Sequence, residues 1–164
     1  MGRKWLVSVL GAAAVAVSVG AQAQTAMSPV VPNIYAGLEI GQADVGNEED
    51  IGFKVFGGYQ FTRNIAAELG YGMMFDKSDV EVTALELVAV GMFPIANQFS
   101  VIGKLGLANV EVDSPGGSED KTEITWGIGV QFDVSRNLGV RALWQRYETE
   151  ESLDWLAIGV MWRF

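Results

Sequence analysis

The residues of this chain that could perform catalysis or bind a metal are nearly all carboxylates. The sequence has 20 Asp and Glu residues but no His and no Cys, which removes the usual general base, the thiol nucleophile and most transition-metal ligands. Glu150 and Glu151 could form an acid–base pair, although adjacent charges more often belong to a solvated loop. Asp113, Glu119 and Asp120 could offer oxygen ligands, but their spacing matches no calcium loop. We therefore predict no catalytic, metal or cofactor site.

A second set of charged residues alternates along the chain with large apolar residues. Glu39, for example, lies between Leu38 and Ile40. A period of two is the pattern of a β-strand, whose successive side chains point to opposite faces. Eight charged residues share this placement and comprise four acids and four bases: Glu39, Lys54, Glu68, Glu86, Lys104, Glu123, Arg141 and Arg163.

The alternation predicts eight strands, each about as long as a tilted membrane strand requires. They span residues 33–42, 51–61, 64–74, 82–93, 98–108, 122–132, 137–147 and 155–164. The connections at 61–64, 94–97 and 133–137 are short and contain turn residues. The segments 43–50, 75–81, 109–121 and 148–154 are longer and hold four, three, four and four of the 20 acidic residues. Short turns on one side and long charged loops on the other are typical of outer-membrane barrels, and 109–121 is expected to be the most mobile loop.

The composition of the two strand faces favours a barrel embedded in a membrane. The charged face is also rich in glycine, which suits a narrow interior. The apolar face carries aromatic residues near both ends, as expected at two lipid–water interfaces. In the alternative, a soluble lipocalin-like barrel, the apolar side chains would point inward and the charges outward. We predict an all-β fold, an eight-stranded antiparallel up-and-down transmembrane β-barrel.

The amino-terminal residues agree with export to a membrane. Arg3 and Lys4 precede an apolar run, and Ala21-Gln-Ala23 is a small-x-small cleavage site, so residues 1–23 are predicted to be a signal peptide. Residues 24–32 would then form a short periplasmic segment and residues 33–164 the barrel. Loss of the two cations changes the net charge from −9 to −11, which opposes nucleic-acid binding.

Two stretches carry a resemblance to a known family. Gly52-Phe-Lys-Val-Phe-Gly-Gly-Tyr-Gln60 and Ala66-Ala-Glu-Leu-Gly-Tyr-Gly72 resemble the second and third strands of the outer membrane protein A barrel. The similarity extends loosely over residues 33–164. It implies a monomeric protein of the bacterial outer membrane that contacts membrane lipids and lipopolysaccharide. It also implies that Trp162 and Phe164, at the aromatic carboxyl end, are read by the barrel assembly machinery.

The resemblance extends only in part to the charged interior of that family. Glu68, Lys104 and Arg141 match its central ion-pair cluster, whereas a lysine and a glutamate of the family fall near Val90 and Gln131 here. The family's gating behaviour therefore does not carry over directly. No peptidoglycan-binding domain follows the barrel in this sequence, so we expect no anchoring to the cell wall.

The number of residues between each charge and the short-turn end of its strand gives its height in the barrel, and these heights predict which charges meet. Glu68 and Arg141 lie at the same height on strands three and seven, which are opposite each other in an eight-stranded barrel, so they are expected to form a crossbar. Two neighbouring pairs are also predicted, Glu39 with Lys54 and Glu86 with Lys104. The alternative is that water trapped in the lumen hydrates each charge separately.

The sequence leaves three classes of function open. The first, which we favour, is a non-enzymatic structural or surface protein that presents acidic external loops. The second is a small porin-like channel, although side chains nearly fill an eight-stranded barrel. The third is a lipid-modifying barrel enzyme, which the absence of His disfavours.

Overall fold

A computed structural model describes residues 29–45, 48–75, 81–150 and 152–164. Eight β-strands form the molecule: β1 (Asn33–Val45), β2 (Glu48–Gln60), β3 (Ile65–Phe75), β4 (Glu81–Pro94), β5 (Phe99–Ser114), β6 (Gly117–Asp133), β7 (Leu138–Tyr147) and β8 (Leu153–Arg163). The predicted signal peptide and most of the 24–32 segment lie outside the described residues. Within the described ranges, no helix is long and apolar enough to cross a membrane.

The strands close into an antiparallel barrel in sequence order. Each strand pairs with the next, and β1 pairs with β8 from Tyr35 opposite Arg163 to Val45 opposite Leu153. Closure gives every strand two hydrogen-bonded neighbours within the barrel wall, so the wall itself has no free edge. The predicted eight-stranded up-and-down barrel is confirmed.

Two ends of the barrel can be distinguished by their connections. At the turn end, where the first and last strands also terminate, three short turns are closed by backbone hydrogen bonds. The amides of Phe61, Ile95 and Ser135 donate to carbonyls across their turns, each over 3.0 Å. The other end, here called the loop end, carries the remaining connections.

The longest predicted loop, 109–121, is instead largely strand. β5 continues to Ser114, β6 begins at Gly117, and the two strands pair along this whole length. Gly117 has φ of 142°, a conformation that favours glycine. The sequence carried a signal for this hairpin, because Val110 and Val112 alternate with acidic residues. The prediction of a loop, which rested on the acidic composition and the Pro-Gly-Gly segment, is wrong.

The outer surface of the barrel wall is predominantly apolar. Large side chains such as Leu69, Leu87, Leu105, Ile128 and Ile158 are each more than half exposed. Aromatic side chains lie at its two ends and form the pairs Tyr59–Phe61, Phe99–Phe132 and Trp126–Trp144, with ring centroids 4.8, 4.8 and 5.1 Å apart. An apolar band between two aromatic girdles matches the hydrocarbon core and its two interfaces.

The interior has two apolar clusters with charged residues between them. The turn-end cluster is built from Tyr35, Phe56, Ala66, Val88, Val90, Met92, Ile102, Leu143 and Met161. The loop-end cluster is built from Ala43, Ala84, Ala108, Val110, Tyr147, Leu153, Trp155 and Ala157. On β1 and β5, the inward charged residue lies between a residue of one cluster and a residue of the other.

Candidate functional site: a charge cluster in the barrel lumen

Six charged side chains meet inside the barrel, each no more than 4% exposed. They are three acids and three bases, so the group is electrically balanced: Glu39, Lys54, Glu68, Glu86, Lys104 and Arg141. We call this group the lumen charge cluster. Every member sits on the inward face because its strand alternates, and six different strands contribute one residue each.

Arg141 joins the two sides of the lumen charge cluster. Its Nη1 donates to Glu68 Oε1 over 2.6 Å and its Nη2 to Glu68 Oε2 over 3.3 Å. Its Nε donates to Glu39 Oε1 over 2.8 Å. The guanidinium carbon also lies 3.7 Å from the centre of the Phe56 ring, the distance of a cation–π contact. Arg141 therefore connects β7 to β1 and β3 through the interior.

The two lysines complete the ion pairing. Lys104 Nζ lies 2.7 Å from Glu68 Oε2 and 3.7 Å from Glu39 Oε1. Lys54 Nζ lies 3.0 Å from Glu86 Oε1 and 3.3 Å from Glu39 Oε2. Each acid thus has a basic partner within 3.0 Å, and Glu39 contacts all three bases.

Four neutral polar residues add hydrogen bonds around the charges: Tyr35, Thr125, Gln145 and Tyr147. Gln145 Nε2 donates to Glu86 Oε2 and to Thr125 Oγ1, both over 2.8 Å. Tyr147 Oη donates to Glu86 Oε2 over 2.7 Å, and Tyr35 Oη donates to Glu68 Oε1 over 2.9 Å. These four residues are not among those predicted from the sequence. Tyr35 has the same strand parity as the charged residue on β1, and Gln145 and Tyr147 share that of the one on β7, so parity could have identified them.

The predicted pair of Glu86 and Lys104 does not form, because the turn between β4 and β5 sets a register that places the two residues four positions apart. In the β4–β5 register, Lys104 is opposite Val90, whereas Glu86 is opposite Ala108. Four residues along a strand correspond to about 13 Å. Lys104 binds Glu68 and Glu39 instead, and Glu86 binds Lys54.

Two of the eight predicted residues lie outside the lumen charge cluster. Glu123 is only partly buried, two residues beyond the pair of Thr125 with Tyr147 that ends the β6–β7 ladder. Arg163 lies at the turn end, where its Nη2 contacts Asp133 Oδ1 over 2.6 Å. A side chain at Gly139 would approach both groups, so this glycine leaves space for the pair.

The two positions that depart from the family pattern flank the cluster without adding charge. Val90 lies opposite Lys104 on β5, and Gln131 lies opposite Arg141 on β7. Both are buried, and Gln131 Nε2 donates to Asp133 Oδ1 over 3.2 Å.

The acids that could have formed an acid–base pair or a metal site do not lie together. Asp113 and Asp120 lie on the opposite strand face from Glu119, because β5 and β6 continue through this region. Glu150 contacts Lys121 over 3.0 Å at the surface, while Glu151 lies outside the described residues. Among the residues that the structure describes, no group of three or more Asp and Glu side chains is arranged to hold a metal ion.

The carboxyl end places both predicted assembly residues on the outer surface. Trp162 is 51% exposed and Phe164 is 77% exposed. The Phe164 amide donates to the Ile34 carbonyl over 2.9 Å, so the last residue is held to β1. Their role as an assembly signal stays a prediction.

The closed barrel, its apolar exterior and its charged interior define a transmembrane β-barrel of the smallest common size. The chain belongs to the family of the outer membrane protein beta-barrel domain, whose model matches residues 10–164. Membership of this family supports an outer-membrane location. A search of curated proteins finds no match to the sequence.

Solved structures of other small barrels share the fold. The N-terminal β-barrel domain of Pseudomonas aeruginosa OprF is 20% identical with a TM-score of 0.62, and the similarity covers 79% of this chain and 97% of that one. The attachment invasion locus protein Ail of Yersinia pestis, solved with the heparin analogue sucrose octasulfate, is 20% identical with a TM-score of 0.56, covering 80% and 97%.

A designed protein is just as similar in fold. A de novo transmembrane β-barrel is 16% identical with a TM-score of 0.62, and the similarity covers 84% of this chain and 100% of that one. Because a designed barrel matches as well as the OprF domain and better than Ail, the likeness establishes the fold and carries no function.

Proposed function

We propose that this protein is a non-enzymatic structural or surface protein of the outer membrane, which presents acidic external hairpins on a barrel with a filled interior. The observation that carries the proposal is the filled lumen. Ile102 of the turn-end cluster and Glu39 of the lumen charge cluster are 0% exposed, and Trp155 of the loop-end cluster is 1% exposed. Side chains at three successive levels of the interior are therefore buried from solvent.

The inward glycines support the same conclusion. A continuous path for solutes would require them to leave open space. Instead, a Cβ atom added at Gly37 would collide with the Phe56 ring, and one at Gly159 would collide with the Glu39 side chain. Glycine at these positions makes room for large neighbours to cross the lumen, and the barrel is packed as a result.

A conductance measurement tests the proposal against the channel alternative. Residues 24–164, refolded in detergent and added to a planar bilayer, are expected to give no sustained stepwise current above a detergent-only control. The Lys104→Gln variant guards against a contaminating porin, because only current through this lumen would respond to loss of that charge. Stepwise current that changes with the substitution would overturn the proposal.

The charge cluster does not favour an enzyme. Its three carboxylates are paired with bases inside the barrel, where a lipid substrate cannot reach them, and the sequence offers no His or Cys elsewhere. Lipid A of unchanged mass in a strain that overproduces the protein is the expected result. A mass change that depends on this protein would contradict the non-enzymatic role.

The partners proposed for this role follow from the surface. The exposed apolar band is expected to contact membrane lipids and lipopolysaccharide. The exposed aromatic residues at the carboxyl end are expected to contact the barrel assembly machinery. The acidic hairpins oppose nucleic acid, and we expect the barrel to be a monomer.

A further inference from the structure

The hairpin of β5 and β6 extends beyond the barrel wall at the loop end and leaves one strand edge unpaired. β6 pairs with β5 as far as Gly117, but its pairing with β7 stops at Thr125, which is opposite Tyr147. Residues 118–123 of β6 therefore have a strand on one side only, and all except the half-buried Glu123 are exposed. We call residues 118–123 the β6 edge.

The backbone of the β6 edge has three positions that face the open side. The Glu148 amide donates to the Ile124 carbonyl over 2.9 Å, so residue 124 points toward the β7 side. Antiparallel pairing alternates the bonding direction with every residue. Ser118, Asp120 and Thr122 therefore direct their N–H and C=O groups away from β5. Within the described part of the chain, these groups have no backbone partner on that side.

The charges on and beside the β6 edge are predominantly negative. The edge itself carries Glu119, Asp120 and Glu123, and Glu111 of β5 is directly opposite Asp120. The one cation of the edge, Lys121, is already 3.0 Å from Glu150 in the neighbouring coil. The hairpin therefore offers an unbalanced negative surface. Like charges opposite each other on a sheet, such as Glu111 and Asp120, are also unfavourable.

The open edge and its charge together select the kind of partner. A free edge binds an extended segment by adding it as a strand, with affinity from main-chain hydrogen bonds. A second copy of this chain would bring another acidic hairpin against the first, which electrostatic repulsion disfavours. We propose that the β6 edge binds an extended, basic segment of another protein by strand addition. The proposal rests on the surface role proposed above and names the class of its partner.

The test uses the mature chain in lipid nanodiscs and three labelled nine-residue peptides. The first alternates Lys and Val. The second replaces each Lys with Glu. The third keeps Lys and Val but is N-methylated at every second amide on the edge that would pair, which blocks strand addition without changing charge. Binding is followed by fluorescence anisotropy, and amide exchange reports which backbone groups are engaged.

The Lys-Val peptide is expected to bind at least tenfold more tightly than either of the other two. It should also slow exchange at the Ser118, Asp120 and Thr122 amides. Binding should weaken at least tenfold in Thr122→Pro, which removes an N–H facing the open side without altering charge. Thr122→Ala keeps that N–H and should bind within twofold of the native protein.

Three results would overturn the proposal. One is equal binding of the N-methylated peptide, and another is an unchanged affinity of Thr122→Pro that migrates as a folded barrel on an unheated gel. The third is a crosslinked dimer of the native protein that Thr122→Pro abolishes, since the edge would then belong to a second copy. If Thr122→Pro fails to fold, the peptide comparison on the native protein decides. Current through the lumen would contradict the proposed function without affecting any of these results.

Discussion

Glu68 of β3 and Arg141 of β7 meet across the barrel, with Arg141 Nη1 and Glu68 Oε1 2.6 Å apart. The two strands are on opposite walls, so this pair ties together parts of the wall that share no ladder. Neither charge depends on the other alone, because Arg141 also binds Glu39 and Lys104 also binds Glu68. The pair is the centre of a balanced group whose stability depends on the count of charges as well as on single contacts.

Removal of Arg141 is expected to destabilise the barrel sharply. Arg141→Ala leaves three buried acids with two bases, and loss of one partner of a buried pair costs about 3–5 kcal/mol. Adding Glu68→Ala restores the balance and should recover part of that loss. Urea titration of the refolded protein in vesicles, followed by tryptophan fluorescence, gives the free energies of unfolding for the double-mutant cycle. Additive losses would mean that the two residues are energetically independent.

A surface pair provides the control for this experiment. Arg146 and Asp154 form two hydrogen bonds, over 2.7 and 2.9 Å, but both side chains are about one-third exposed. Exposed pairs contribute little. Arg146→Ala should therefore cause a much smaller loss than Arg141→Ala. Similar losses would show that burial of the charge cluster is not what makes it important.

A methyl group added at a lumen glycine is expected to disturb packing, whereas one added on the lipid face is not. A Cβ at Gly37 would collide with the Phe56 ring and with the Val160 carbonyl, which belongs to the backbone and cannot rotate away. Overpacking of this kind costs about 1–3 kcal/mol, so Gly37→Ala should unfold at lower urea concentration.

The matched control for Gly37→Ala is Gly91→Ala on the outer face. There the nearest atom to an added Cβ, Phe93 Cε2, is 3.7 Å away. The change in unfolding free energy should stay within about 0.5 kcal/mol. An equal effect of the two substitutions would contradict a filled lumen, since the glycines would then matter only through backbone flexibility.

The alternation of residues was enough to predict the strands, because a half-buried strand has to place alternate side chains in different environments. It was not enough to predict which inward charges meet. Lys104 lies opposite Val90 and not Glu86, and this offset depends on the register of the β4–β5 hairpin, which the turn sets and the alternation within a strand does not encode. The pair of Arg163 with Asp133 could not be predicted either. It depends on the space that Gly139 leaves beside both groups, which the sequence pattern does not indicate.

The charged composition of the β5–β6 hairpin concealed its strands for a different reason. Glu111, Asp113 and Asp120 were taken as loop residues, yet they lie on the exposed face of a β-hairpin. Outside the membrane both strand faces can be hydrated, so a strand there tolerates acids that would be excluded from the lipid-facing part. Composition predicted that the charged segments lie together at one end of the barrel, but it did not predict where the pairing of β5 with β6 ends.

Loss of the terminal aromatic residue is expected to reduce assembly more than it reduces stability. If Phe164 is read by the assembly machinery, a chain ending at Arg163 should reach the outer membrane in reduced amount. Phe93→Ala is the control, because Phe93 is 65% exposed on the outer surface. The readout is the amount of protein in the membrane fraction that migrates as a folded barrel without heating. Equal reductions in the two variants would point to a general loss of aromatic surface.

The order of proteolysis on intact cells is expected to follow backbone pairing and not acidity. A protease specific for Glu should cut first after Glu148 or Glu150, in the coil between β7 and β8. Cleavage after Glu111 or Glu119 should be slower, because both residues are paired within the β5–β6 hairpin and a protease needs an extended, unpaired segment. Mass spectrometry of the released fragments at short times gives the order. Equally early cleavage after Glu119 would show that the hairpin opens on the cell surface. Early cuts after Asp133 by an Asp-specific protease would show that the turn end, and not the loop end, faces the outside of the cell.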